Sequence, residues 1–101
     1  MQPQIVFITV ATAEEAERIA CALVEERLAA CANLIPGITS IYRWEGKVQR
    51  EPEALLIVKT TDARLAALIQ RVKELHSYQV PEIIALPITG GSPEYLAWLL
   101  E

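Results

Sequence analysis

Chemistry in this chain has few side chains to draw on: Tyr42, Trp44, Glu53, Lys59, His76, Tyr78 and Glu82, with the thiol of Cys31. Ser40, Tyr42 and Trp44 recur at every second position, so a strand aims all three to one face. Gly46 follows as a turn residue, and the apolar run Leu55-Leu-Ile-Val58 reads as the returning arm of a β-hairpin. A two-residue loop, either Glu45-Gly46 or Gly46-Lys47, makes paired residue numbers sum to an odd value. Ser40, Tyr42 and Trp44 then share a face with Glu51, Glu53, Leu55, Ile57 and Lys59, and a one-residue slip would undo this. Glu53 and Lys59 lie among apolar neighbours, where a charge needs a partner. A carboxylate, a cation and aromatic walls on one surface would form a polar binding cleft where subunits meet. An ion pair that only specifies the assembly is the competing account, and aromatics on a hairpin also fill subunit interfaces. His76 closes a predicted helix, where a protonated imidazole complements the dipole and metal ligation is the alternative.

The elements that must position these residues follow from periodicity. Gln4 to Val10 is apolar on both faces, which predicts a central, covered strand. Thr12-Ala-Glu-Glu15 is a capping box: the Thr12 hydroxyl accepts from the Glu15 N–H and Glu15 reaches back. The stripe Ala16, Ile19, Ala20, Leu23, Val24 and Leu28 predicts a helix ending near Leu28 or Ala29. A second strand starts about Cys31, with a bend or bulge at Pro36-Gly37. Thr60-Thr61-Asp62 offers N-caps for a second helix with the stripe Leu65, Leu68, Ile69, Val72 and Leu75. Glu82 to Ile88 is a fourth strand, placed at an edge because Pro87 cannot donate to a neighbour. Ser92-Pro93 opens a short terminal helix crowded with Tyr95, Leu96, Trp98, Leu99 and Leu100. The order βαββαβ plus a C-terminal helix predicts one α+β domain over residues 1–101, a ferredoxin-like sandwich with a long β2–β3 hairpin. Both long helices then cover one sheet face. The strands are apolar on the other face too, which predicts cover from neighbouring subunits.

Composition narrows the function. With 52% hydrophobic and 22% charged residues in 101, the chain belongs among folded globular proteins. A net charge of −4 without a basic patch argues against nucleic acid. No apolar run approaches the roughly 20 residues of a membrane span, and no signal-peptide pattern opens the sequence, so cytoplasmic residence is expected. Cys21 and Cys31 match neither a redox C-x-x-C pair nor a zinc half-site and read as small buried hydrophobes. No Ser–His–Asp, Cys–His or two-carboxylate constellation can be read, so binding or signalling is expected rather than catalysis, with no organic cofactor.

A resemblance then becomes specific. Leu28-Ala-Ala-Cys31-Ala-Asn33-Leu-Ile-Pro36-Gly37, Ser40-x-Tyr42-x-Trp44-x-Gly46, Glu53, Lys59-Thr60, His76-x-Tyr78-x-Val80-Pro81-Glu82 and Tyr95-x-x-Trp98-Leu99 together resemble the CutA family of divalent-cation tolerance proteins. The likeness runs from about Ile5 to Trp98. It implies a ferredoxin-like protomer, a homotrimer, binding of copper or another divalent cation, and kinship to PII-type signalling trimers. Some members carry a cysteine and a histidine pair proposed as copper ligands. Here those positions are Ile8 and Leu75-His76, so the resemblance retains His76, with Cys31 and Glu82 as the groups that could join it. The function implied is divalent-cation (copper) tolerance through metal or ligand binding. The alternative is a PII-like module whose inter-subunit cleft, with Tyr42, Trp44, Glu53, Lys59, Tyr78 and Glu82, binds a small organic anion and reports to a protein partner.

Overall fold

Strict alternation along two central strands builds the core. In the computed structural model, which describes residues 1–101, Val6, Ile8 and Val10 of β1 (Pro3–Val10) point to one side and are fully buried. Ala54, Leu56 and Val58 of β3 (Lys47–Thr61) do the same. Against them pack Ala16, Ile19 and Leu23 of α1 (Ala13–Glu25) and Leu68 and Val72 of α2 (Asp62–Leu75). The remaining elements are β2 (Cys31–Trp44), β4 (Ile83–Pro87) and α3 (Pro93–Leu99). The sheet order is β2-β3-β1-β4 and every neighbour is antiparallel, the ferredoxin-like arrangement expected from the element order. Pro87 pairs with Gln4 on the edge strand, where its missing N–H costs no ladder bond on the outer side. No helix is long and apolar enough to cross a membrane.

Several local expectations are corrected. Helix α1 stops at Glu25, short of Leu28 or Ala29, because Arg27 takes a left-handed φ of 62°. Its N–H bonds the Val24 carbonyl and the Leu28 N–H returns to Leu23, a Schellman closure with arginine where glycine is usual. The Thr12 hydroxyl accepts from the Glu15 N–H at 3.1 Å as the capping box requires, but the Glu15 carboxylate is drawn elsewhere, to Ser77. Thr61 is the N-cap of α2, yet its hydroxyl has no partner; the Asp62 carboxylate instead accepts from the Gln2 N–H at 2.9 Å. Cys21 faces solvent on the outer side of α1 rather than the core.

The hairpin has the two-residue loop that parity demands. Glu45 and Gly46, at φ 51° and 79°, join Trp44 to its partner Lys47, the doubly left-handed pattern of a type I′ turn. Pairing holds one register from there to Ile38↔Glu53. Between Ile35 and Ile38 the register shifts: β2 spends three steps where β3 spends two, with Gly37 at φ 71°. This is the bulge expected at Pro36-Gly37. On the face turned away from α1 and α2 the sheet presents the partly buried Ile5 and Phe7 of β1 and Leu55 and Ile57 of β3, with Ile84 and Leu86 of β4 beside them. Ile84 is 54% and Leu86 51% exposed.

Candidate ligand cleft

Above the bulge, Tyr42 and Trp44 project from β2 on the face that carries Glu53 of β3. The segment between α2 and β4 rises opposite them, carrying Tyr78, Val80 and Glu82. These residues, with Thr9 at the end of β1, line a cleft of about 670 Å³. The Tyr78 hydroxyl donates to Glu53 Oε2 at 2.7 Å and turns the carboxylate into the cleft wall. Burial of the ring, reinforced by this bond to an anion, raises the Tyr78 pKa well above the usual phenol value.

Two buried side chains hold the Tyr78 segment. His76 Nε2 donates to the Thr9 carbonyl at 2.8 Å, and Nδ1 accepts from the Tyr78 N–H at 3.0 Å. A carbonyl only accepts and an amide only donates, so the network assigns a neutral ring protonated on Nε2. Glu15 accepts from the Ser77 N–H at 2.8 Å and the Ser77 hydroxyl at 2.9 Å, and its carboxylate lies 3.8 Å from His76 Nδ1. The cleft wall is thus tied to β1 through His76 and to α1 through Glu15. Neither Glu15 nor Ser77 was legible as a positioning residue: 62 positions separate them, and Glu15 also fits a capping box.

Lys59 does not join this group. It lies on the same face as Glu53 but six positions along β3, about 20 Å at the rise of a strand. Its ammonium hydrogen-bonds the Asn33 side chain and lies 4.0 Å from Cys31 Sγ. The expected Glu53–Lys59 pair is therefore absent within the protomer, and each charge has a separate partner. Within one protomer the cleft contains Glu53 and Glu82 and no lysine or arginine, so an organic anion meets no counter-charge among its walls.

The proposed metal ligands are also parted. His76 sits beside Thr9, whose strand partner is Leu55, whereas Cys31 pairs with Lys59 and lies near Tyr95. Desolvation and the neighbouring thiol raise the Tyr95 pKa. The His76 side chain is fully enclosed with both ring nitrogens engaged, and a cation at Cys31 would meet the Lys59 ammonium. No group of three or more His, Cys, Asp or Glu side chains is arranged to hold a metal ion. His76 and Cys31 do not fit a shared copper site in one protomer.

Comparison with known proteins agrees over nearly the whole length. The family model described as CutA1 divalent ion tolerance protein matches residues 4–101. The divalent-cation tolerance protein CutA of Thermus thermophilus is 59% identical over 98 residues, covering 97% of this chain and 95% of that protein. Its solved structure superposes with a TM-score of 0.95 at 58% identity, over 97% of this chain and 95% of that one. CutA1 from Oryza sativa also gives 0.95, at 50% identity over 98% and 91% of the two chains. Ferredoxin-like topology, the bulged hairpin and this full-length identity place the chain in the CutA1 family of divalent ion tolerance proteins.

Proposed function

We propose that this protein supports divalent-cation tolerance by metal or ligand binding or by signalling rather than turnover, as a cytoplasmic homotrimer with a ligand cleft at the edge of each sheet face turned away from α1 and α2. The carrying observation is that face. Ile84 and Leu86 are half exposed, and with the partly buried Ile5, Phe7 and Ile57 they form a contiguous apolar surface on the face turned away from α1 and α2. A patch of this kind on a small domain favours association, and closed rotational symmetry buries it in identical copies. The cleft opens at the end of the same face, where β1 stops and the hairpin continues beyond it. Covering the face would leave Tyr42, Trp44, Glu53 and Glu82 around its perimeter, where a bound ligand could report to a partner protein.

Light scattering on the wild type and on Ile84→Glu tests this. A three-fold mass for the wild type, and a smaller, still folded species for the variant, are the expected results. A stable wild-type monomer at micromolar concentration would overturn the assembly.

A further inference from the structure

The cleft's chemistry is that of a cation receptor. Glu53 enters it from β3 and Glu82 from the segment leading into β4. Tyr78 occupies one Glu53 oxygen, Oε2, and Oε1 carries no hydrogen bond. Glu82 forms no ion pair with any residue of the chain. Lys47, a basic residue on this face, pairs with Trp44 at the hairpin tip and does not line the cleft. Lys59, the cation needed for an anion site, is held by Asn33 at the far end of the strand.

The remaining walls decide what kind of cation. Tyr42, Trp44 and Tyr78 present aromatic rings, with Val80 beside them. Trp44 is 55% exposed. Ring faces attract a weakly hydrated ammonium group, and carboxylates at the rim neutralise it. A small divalent ion gains little there, since it needs oxygen ligands and gives up its water reluctantly. The volume of about 670 Å³ suits a small organic molecule rather than a bare ion. The chain's net charge of −4 favours approach of a cation.

We propose that the cleft binds a small organic cation, an alkylammonium or diamine, with Glu53 and Glu82 as counter-charges and Tyr42, Trp44 and Tyr78 as ring walls. This rests on the reading of the cleft as the ligand site and names its ligand class.

Calorimetric titration of the full chain with tetramethylammonium and 1,4-diaminobutane tests it, against succinate, copper(II) and magnesium. Saturable binding of an ammonium probe at one site per protomer is expected. Glu53→Gln and Glu82→Gln should each weaken it about tenfold, and Trp44→Leu about fivefold. Glu82 is exposed and makes no side-chain hydrogen bond, so its variant tests the charge without threatening the fold. Succinate or a metal ion bound in place of the ammonium probes, and lost in these variants, would overturn the cation assignment while keeping the cleft as a ligand site. No probe bound at millimolar concentration, or ammonium binding indifferent to all three substitutions, would overturn both.

Discussion

Replacing Tyr78 by Phe removes one hydroxyl, and the structure fixes what that should cost. The hydroxyl donates to Glu53 at 2.7 Å, a bond to an ionised acceptor. Such bonds contribute about 1.5–3 kcal/mol when enclosed. Tyr78 is 37% exposed, so water competes and the expectation falls to about 1 kcal/mol. A double-mutant cycle of Tyr78→Phe with Glu53→Met isolates this coupling. A second cycle, Glu53→Met with Lys59→Met, should show less than about 0.5 kcal/mol, because sites this far apart without shared partners are additive. Both cycles are read by urea unfolding at one fixed protomer concentration, since assembly makes stability depend on concentration. A coupling of about 1 kcal/mol or more between Glu53 and Lys59 would mean that neighbouring copies bring the two charges together. Its absence between Tyr78 and Glu53 would refute the hydrogen bond as the determinant of the cleft wall.

Four further outcomes are expected. His76→Leu strips partners from the Thr9 carbonyl and the Tyr78 N–H, and should cost about 2–4 kcal/mol in unfolding experiments; copper titration of the wild type should show micromolar or weaker binding, because neither ring nitrogen is free. The Tyr78 pKa is raised in the fold, so its contribution is complete below the ordinary phenol value of about 10 and is lost as pH rises through the folded value. Stability between about pH 10 and 12 should therefore fall more steeply in the wild type than in Tyr78→Phe, as followed by circular dichroism. Arg27→Gly should stabilise by about 1 kcal/mol, because glycine adopts the φ of 62° without a Cβ penalty; an unchanged or lower melting temperature would refute that source of strain.

How far these features could be read in advance depended on whether the governing contact was local. The apolar stripes of two helices marked their core faces, since burial follows period, while Gln4 to Val10, apolar on both faces, marked a central strand without saying which side meets the helices. Pro87 marked the edge strand and Gly46 the turn, each through a backbone restriction carried by one residue. The early end of α1 was hidden because Leu28 continues the apolar stripe after the backbone has turned left-handed at Arg27. Glu53 and Lys59 looked like a pair because both are charged residues on one strand face. Six positions along one strand already separate them by about 20 Å, whereas their true partners, Tyr78 and Asn33, come from segments that only the tertiary fold brings alongside. The same reason concealed the roles of Glu15 and Ser77.

One extra residue in β2 decides whether the cleft exists. Below the bulge, Cys31, Asn33 and Ile35 share the open face with Lys59, Ile57 and Leu55, so odd positions of β2 point that way. Above it, Ile38, Ser40, Tyr42 and Trp44 face the same side, so even positions do. Without the insertion at Pro36-Gly37 the upper strand would keep the lower parity, and Tyr42 and Trp44 would turn away from Glu53. Arg43, flanked by the two aromatics, would replace them on the cleft side. Gly37, at φ 71°, makes the insertion inexpensive, because this left-handed conformation carries no Cβ penalty in glycine. The aromatic wall that β2 gives the cleft is therefore set several residues away, by the backbone geometry of the bulge.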